Sequence, residues 1–177
     1  MIPTKKQARA LWDKYQLPNK KRIHCALVTE VAMGLAGQIH QFTNKPINQL
    51  LLQAAALLHD IDKNVPKRAG EKHPDTAVRI LREEGMDEIA AIVKTHSLHA
   101  ILDPAIAPKT WEEKILFLAD KMVKYEVIGV DERFKLWSDE HLPGDAQAIL
   151  DAAYPKVKAL EHELLKMIRK KEYTLAI

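Results

Sequence analysis

The sequence has little cysteine, few aromatic residues and almost no net charge. Cys25 is the single cysteine among 177 residues, which excludes an intramolecular disulfide and suits a reducing compartment. Aromatic residues make up 6% of the chain, too few for a stacking platform that binds single-stranded nucleic acid. A formal charge of +3 falls short of the basic footprint of a nucleic-acid binder and suits a small anionic ligand equally well. No apolar run reaches membrane-spanning length. The basic stretch from Met1 to Gln16 lacks the apolar core of a signal peptide. These absences predict a cytoplasmic protein with neither nucleic acid nor a membrane as partner.

What is present is an ordinary folded composition, 47% hydrophobic and 29% charged, in a chain long enough to bury a substantial core as one domain. One stretch stands out: Leu51 to Lys63 reads LLQAAALLHDIDK. Strong helix formers fill it and no β-branched residue occurs before Ile61. A helix apolar on most sides is a central one, packed from several directions. The expectation is a buried helix carrying His59 and Asp60 on its last turn. Alone, such a pair also fits a helix end, where histidine satisfies a free carbonyl and aspartate makes a turn.

The remaining pattern is helical throughout. Thr4 can cap a helix to Gln16, with Ala8, Leu11, Trp12 and Tyr15 at helical spacing. Leu17-Pro18-Asn19 ends it, and a second helix from about Lys20 to His40 has Ile23, Leu27, Val31 and Leu35 as its stripe. Pro46 suits the first turn of the central helix. A polar loop spans Asn64 to Lys72; Asp75 can then cap a helix that Gly85 ends. A helix from Asp87 to about His96 follows, then a loop with Pro104 and Pro108. Thr110 and Glu113 form a capping box for a helix that leads to Asp120. Val127 to Val130 has no partner strand nearby, so a short helix near Asp131 to Trp137 is preferred. After a turn at Leu142-Pro143-Gly144, a last helix runs from about Asp145 to Lys170, with Pro155 as a candidate kink. Its stripe of Leu160, Leu164, Leu165 and Ile168 either packs on its own domain, the commoner outcome, or pairs two copies in a homodimer. The fold class is an all-α, single-domain helical bundle.

Histidines and carboxylates at helix ends or on apolar faces form one set: His24, His59, Asp60, His73, His96 and Asp120. Several helices contribute, and an unpaired carboxylate after Phe117-Leu118-Ala119 would be expensive. Bundles build metal sites from inward side chains in this way.

The order of these residues resembles the HD-domain metal-dependent phosphohydrolases, whose signature is His, then His-Asp, then a distant Asp. Leu57 to Lys63 resembles that superfamily's HDIG-type motif, with Asp62 where glycine is usual. The resemblance covers about residues 20 to 137, leaving 138 to 177 as a C-terminal helical extension within the same domain. His73, His96 and the segment Leu118-Ala119-Asp120-Lys121 resemble the dinuclear branch that includes the YqeK-like symmetrical diadenosine tetraphosphatases. Lys21 stands where those sequences usually have arginine.

The resemblance implies that His24, His59, Asp60 and Asp120 hold one divalent metal, and that Asp60 bridges to a second held by His73 and His96. A mixed His/carboxylate set with room for water suits iron, manganese or another octahedral metal better than a closed zinc site. Asp60 and Lys63 are the expected catalytic residues. Lys67, Arg68 and Lys72 are expected to reach a polyphosphate chain. The implied reaction is hydrolysis of a nucleotide, with diadenosine tetraphosphate cleaved to two ADP as the leading candidate. The alternatives are a nucleoside monophosphate or cyclic nucleotide phosphohydrolase, or a nucleotide-sensing module without turnover.

Overall fold

A computed structural model describes residues 1–140 and 143–169. His141 and Leu142, and with Leu142 part of the expected turn, lie outside the described residues, as does Lys170, the expected end of the last helix. The described residues form helices α1 (Lys5–Lys14), α2 (Asn19–Thr43), α3 (Gln49–Leu58), α4 (Asp75–Glu83), α5 (Asp87–Lys94), α6 (Trp111–Lys121), α7 (Gly129–Asp139) and α8 (Gly144–Arg169). A 3₁₀ turn, η1, spans Leu98–Leu102. The fold is all helical, and the sole β-like feature among the described residues is an isolated bridge between Val123 and Val127.

α3 is the hub. Leu52 and the run Ala54, Ala55, Ala56, Leu57 and Leu58 are all buried, and the helix packs against α1, α2, α5 and α6. A helix surrounded on four sides needs apolar groups around its circumference, which is what the sequence supplies. α8 lies across α2, α6, α7 and η1. Leu160 and Leu164 are buried in the common core, with Leu165 and Ile168 packed against it, so the stripe on α8 is taken up by its own domain. α8 continues through Pro155, whose exposed position lets water satisfy the carbonyl left without its helical donor.

Local chemistry explains most boundaries. Thr4 and Thr110 both form full capping boxes, with Gln7 and Glu113 as their partners. α4 ends in a Schellman motif: Gly85 has φ +72°, its N–H donates to Arg82 O, and Met86 N–H donates to Leu81 O. α1 ends in the same way, but with Gln16 in the left-handed position at φ +50°.

Several boundaries differ from the sequence reading. α3 starts later than Pro46, because the Asn48 side chain caps it by accepting from Leu51 N–H. It also ends earlier, at Leu58, so His59 is the cap residue and Asp60 lies beyond the helix. Asp75 is the first residue of α4 rather than its cap, since its carboxylate turns back to accept from Lys72 N–H. α2 runs on to Thr43, where Asn44 takes the left-handed conformation that ends it.

Candidate metal centre

The turns after α3 set the site. Ile61 N–H donates to Leu58 O, Lys63 N–H to Asp60 O, and Val65 N–H to Asp62 O. Ile61 is fully buried and anchors this segment in the core. Tight turns, in place of a continued helix, let His59, Asp60 and Asp62 serve neighbouring positions instead of diverging around a helix axis.

Four histidines from four segments converge there. His24 on α2, His59 after α3 and His96 after α5 are buried; His73, before α4, is part-exposed. Each has its Nδ1 committed. His24 Nδ1–H donates to Lys124 O at 3.0 Å, His59 to Ala56 O at 2.8 Å, and His96 to Val93 O at 2.5 Å. His73 Nδ1 is 3.0 Å from the Asp62 carboxylate. Every Nε2 is therefore turned inward. His59 Nε2 lies 3.3 Å from His24 Nε2, and His73 Nε2 lies 3.0 Å from His96 Nε2.

The carboxylates complete the cluster. Asp120, near the end of α6, lies 3.0 Å from His24 Nε2 and 3.5 Å from His59 Nε2. Asp60 lies 3.6 Å from His73 Nε2. Three overlapping triads result: His24 with His59 and Asp60, His59 with His96 and Asp120, and Asp60 with His73 and His96. All six residues expected to be ligands are thus brought together. Imidazoles that donate through Nδ1 present lone pairs at Nε2, and facing lone pairs about 3 Å apart repel unless a cation lies between them. The donor set fits a divalent metal on that ground, and its nitrogen/oxygen composition without sulfur suits an octahedral ion.

Electrostatics agree. Burial would raise Asp60, but His59, Lys63 and Lys21 outweigh it and hold the carboxyl far below its usual range. Burial would likewise raise Asp120, yet Lys121 and the His24 and His59 rings against its carboxylate keep it well below. Burial would lower His59, but Cys25, Asp60 and Asp120 push it well above its usual value. Burial and the neighbouring His59 and His73 push His96 well below. The carboxylates thus favour positive charge at the centre, whether proton or metal ion.

His24, Asp60, His73, His96 and Asp120 line a cavity of about 170 Å³ with Lys21, Lys63, Ser97, Leu98, Lys121, Arg133 and Trp137, and His59 lies fully buried behind it. Lys21 Nζ bonds Asp60 Oδ2 at 2.9 Å, and Lys63 Nζ lies 3.1 Å from Oδ1. Lys121, 2% exposed, spans Asp120 and the His96 carbonyl at 2.5 and 2.6 Å. A larger cavity of about 620 Å³ lies between the ends of α2 and α8, but it gathers no such cluster.

The basic residues differ from expectation. Lys67, Arg68 and Lys72 are exposed and line no part of the site cavity; Arg68 pairs with Glu83 at 3.0 Å. Their loop folds onto α4, so their charges face water. The cations at the cavity are Lys21, Lys63, Lys121 and Arg133. Sequence reasoning overlooked three of these. Lys21 precedes His24 by one helical turn, and Lys121 directly follows Asp120, so adjacency to the ligands was the available signal. Arg133 and Trp137 are four residues apart on α7, a face with no ligand to mark it.

A helical bundle whose inward histidines and aspartates converge on one cavity is an architecture that builds metal sites. The HD domain family matches residues 22–124, more than half of the chain, and the protein belongs to that family. Searches of curated proteins and of solved structures gave no match. Among the described residues no helix is long and apolar enough to cross a membrane.

Proposed function

We propose that the protein is a metal-dependent phosphohydrolase acting on nucleotide phosphoanhydrides, and that it cleaves diadenosine tetraphosphate symmetrically to two ADP. The observation that carries this reading is the charge of the cavity: two carboxylates face four cationic side chains beside the histidine cluster. Even before a metal adds its own charge, such a cavity calls for a polyanion. His24, His59, Asp60 and Asp120 would hold one ion, and Asp60, His73 and His96 a second. Bound divalent metal supplies Lewis acidity, making water a nucleophile near neutral pH and offsetting charge at phosphorus.

The chain's own residues do the rest. Asp62 and the carbonyls of Ala56, Val93 and Lys124 fix the tautomers of the four ligand histidines. Lys21 and Lys63 at the Asp60 carboxylate are placed to hold phosphoryl oxygens. Lys121 locks Asp120 and the segment bearing His96 in register. In the reaction, water oxygen bonds to one of the two central phosphorus atoms. The P–O bond from that atom to the central bridging oxygen, shared by the two middle phosphates, breaks; this oxygen leaves on the other ADP, and the proton lost by the water passes to solvent.

The test is product chromatography after anaerobic incubation with Fe(II), Mn(II) or Co(II), supplied separately. The panel holds diadenosine polyphosphates, nucleoside mono- to triphosphates and cyclic nucleotides. ADP as sole product from diadenosine tetraphosphate supports the proposal. Nucleoside plus phosphate, or an opened cyclic nucleotide, replaces the substrate. Nucleotide binding without turnover by metal-loaded protein points to a sensing module and overturns the proposal.

A further inference from the structure

Two buried polar atoms among the described residues lack a hydrogen-bond partner, Ser97 Oγ and Arg133 Nε. Both residues line the cavity beside the histidine cluster. Ser97 is 7% exposed and directly follows His96. Buried polar groups are normally paired, so two orphaned donors at one cavity need a physical reason. The other cations there are already engaged: Lys21 and Lys63 with Asp60, Lys121 with Asp120 and His96.

Arg133 is also held in place. Its guanidinium lies over the Trp137 ring at 4.4 Å, and Trp137 packs edge-on against Phe134 at 5.2 Å. A stacked guanidinium keeps its planar fork of donors fixed, the arrangement that grips phosphate oxygens. Burial pushes Arg133 below its usual value, a penalty that an anion in the cavity would remove.

We propose that Ser97 and Arg133 form a second oxyanion position beside the metal centre, one that takes a phosphate group other than the one being cleaved. The substrate then carries at least two linked phosphates, a phosphoanhydride rather than a phosphomonoester. This deepens the phosphohydrolase reading and rests on it. The cavity, about 170 Å³, is below the roughly 300–1,000 Å³ usual for small-molecule sites, so it takes the phosphates while the organic parts of the substrate stay outside.

The test is calorimetric titration of the Mn(II)-loaded protein with two probes, inorganic phosphate and methylenediphosphonate, which resists hydrolysis. The wild type should bind the diphosphonate more tightly. Arg133→Gln and Ser97→Ala should each weaken the diphosphonate by about 10-fold or more while leaving inorganic phosphate within about twofold, because a charge-assisted bond is lost from one position only. Metal content by mass spectrometry should be unchanged. Arg133→Lys keeps the charge, loses the fork and should show the same selective loss, which guards against a misfolded glutamine variant. Unchanged diphosphonate binding in all three variants overturns the clamp, as does equal weakening of both probes. In either case the phosphohydrolase reading stands or falls separately, on the product assay. A wild type that binds neither probe overturns the clamp as well.

Discussion

His73 and His96 face each other through their Nε2 atoms at 3.0 Å, with Nδ1 of His73 held by Asp62 and Nδ1 of His96 held by the Val93 carbonyl. Neither ring can relieve the other by changing tautomer without giving up its Nδ1 bond. The pair is preorganised for a cation, and its orientation depends on groups that never touch the metal.

Asp62 is therefore expected to matter as much as a weak ligand. Asp62→Ala frees His73 to rotate and should reduce metal affinity by about 10–100-fold, with the helical circular dichroism spectrum unchanged. Competition against a chromogenic chelator measures it. Wild-type affinity in this variant would show that packing alone orients His73.

Lys21 and Lys63 occupy both oxygens of Asp60, at 2.9 and 3.1 Å, the atoms that a metal would use. The two ammonium groups compete with the metal for one carboxylate. Lys63→Met should therefore tighten Mn(II) binding by about 10-fold and still lower kcat, since the lysine freed on metal loading is the one placed to meet phosphoryl oxygens. Weaker metal binding in Lys63→Met would contradict this ordering.

The fold was largely readable from the sequence, and the site only partly. The apolar circumference of α3, the capping boxes at Thr4 and Thr110, and Gly85 are local signals, and local signals determine where helices begin and end. Asp75 misled because a capping carboxylate and one that turns back into the preceding loop look alike in sequence. The six clustered histidines and aspartates were visible because chemistry-bearing residues sat against apolar ones. Lys67, Arg68 and Lys72 illustrate the opposite case: lying in the loop that follows Lys63 suggested that they reach a polyphosphate chain, but they are exposed and line no part of the site cavity. Ser97 and Arg133 carry no mark, since an unpaired donor is a property of three-dimensional packing alone.

The end of α3 is capped from outside the helix. Trp12, 6% exposed, donates its Nε1–H to the Leu57 carbonyl at 2.8 Å. That carbonyl belongs to the last helical turn, which has no donor of its own. Trp12→Phe keeps most of the packing and leaves the carbonyl unpaired, which should cost about 1–3 kcal/mol. For a chain of this size each kcal/mol lowers Tm by about 2–4 °C. Because His59 follows Leu57 closely, metal affinity should fall as well; an unchanged Tm would show that water replaces the indole.

The loop that delivers His73 is clamped by Glu71, which accepts from Arg79 Nε at 2.6 Å, from Thr76 Oγ1 at 2.9 Å and from Arg68 N–H at 2.9 Å. The bonds from Arg79 and the Arg68 backbone lower its carboxyl to about 2. A carboxyl depressed by folding contributes stability above its unfolded value and loses it as pH falls through the folded one. The Tm difference between wild type and Glu71→Gln should therefore be full above about pH 4.5 and shrink toward zero as pH falls to about 2. Thermal melts of both proteins across that range give the answer. At neutral pH, Glu71→Gln should also raise amide exchange in residues 64–74 ahead of the rest of the chain, because the clamp holds that loop against α4. A pH-independent difference, or exchange that rises everywhere alike, would mean that the loop is held by packing of Val65 and Pro74 rather than by the carboxylate.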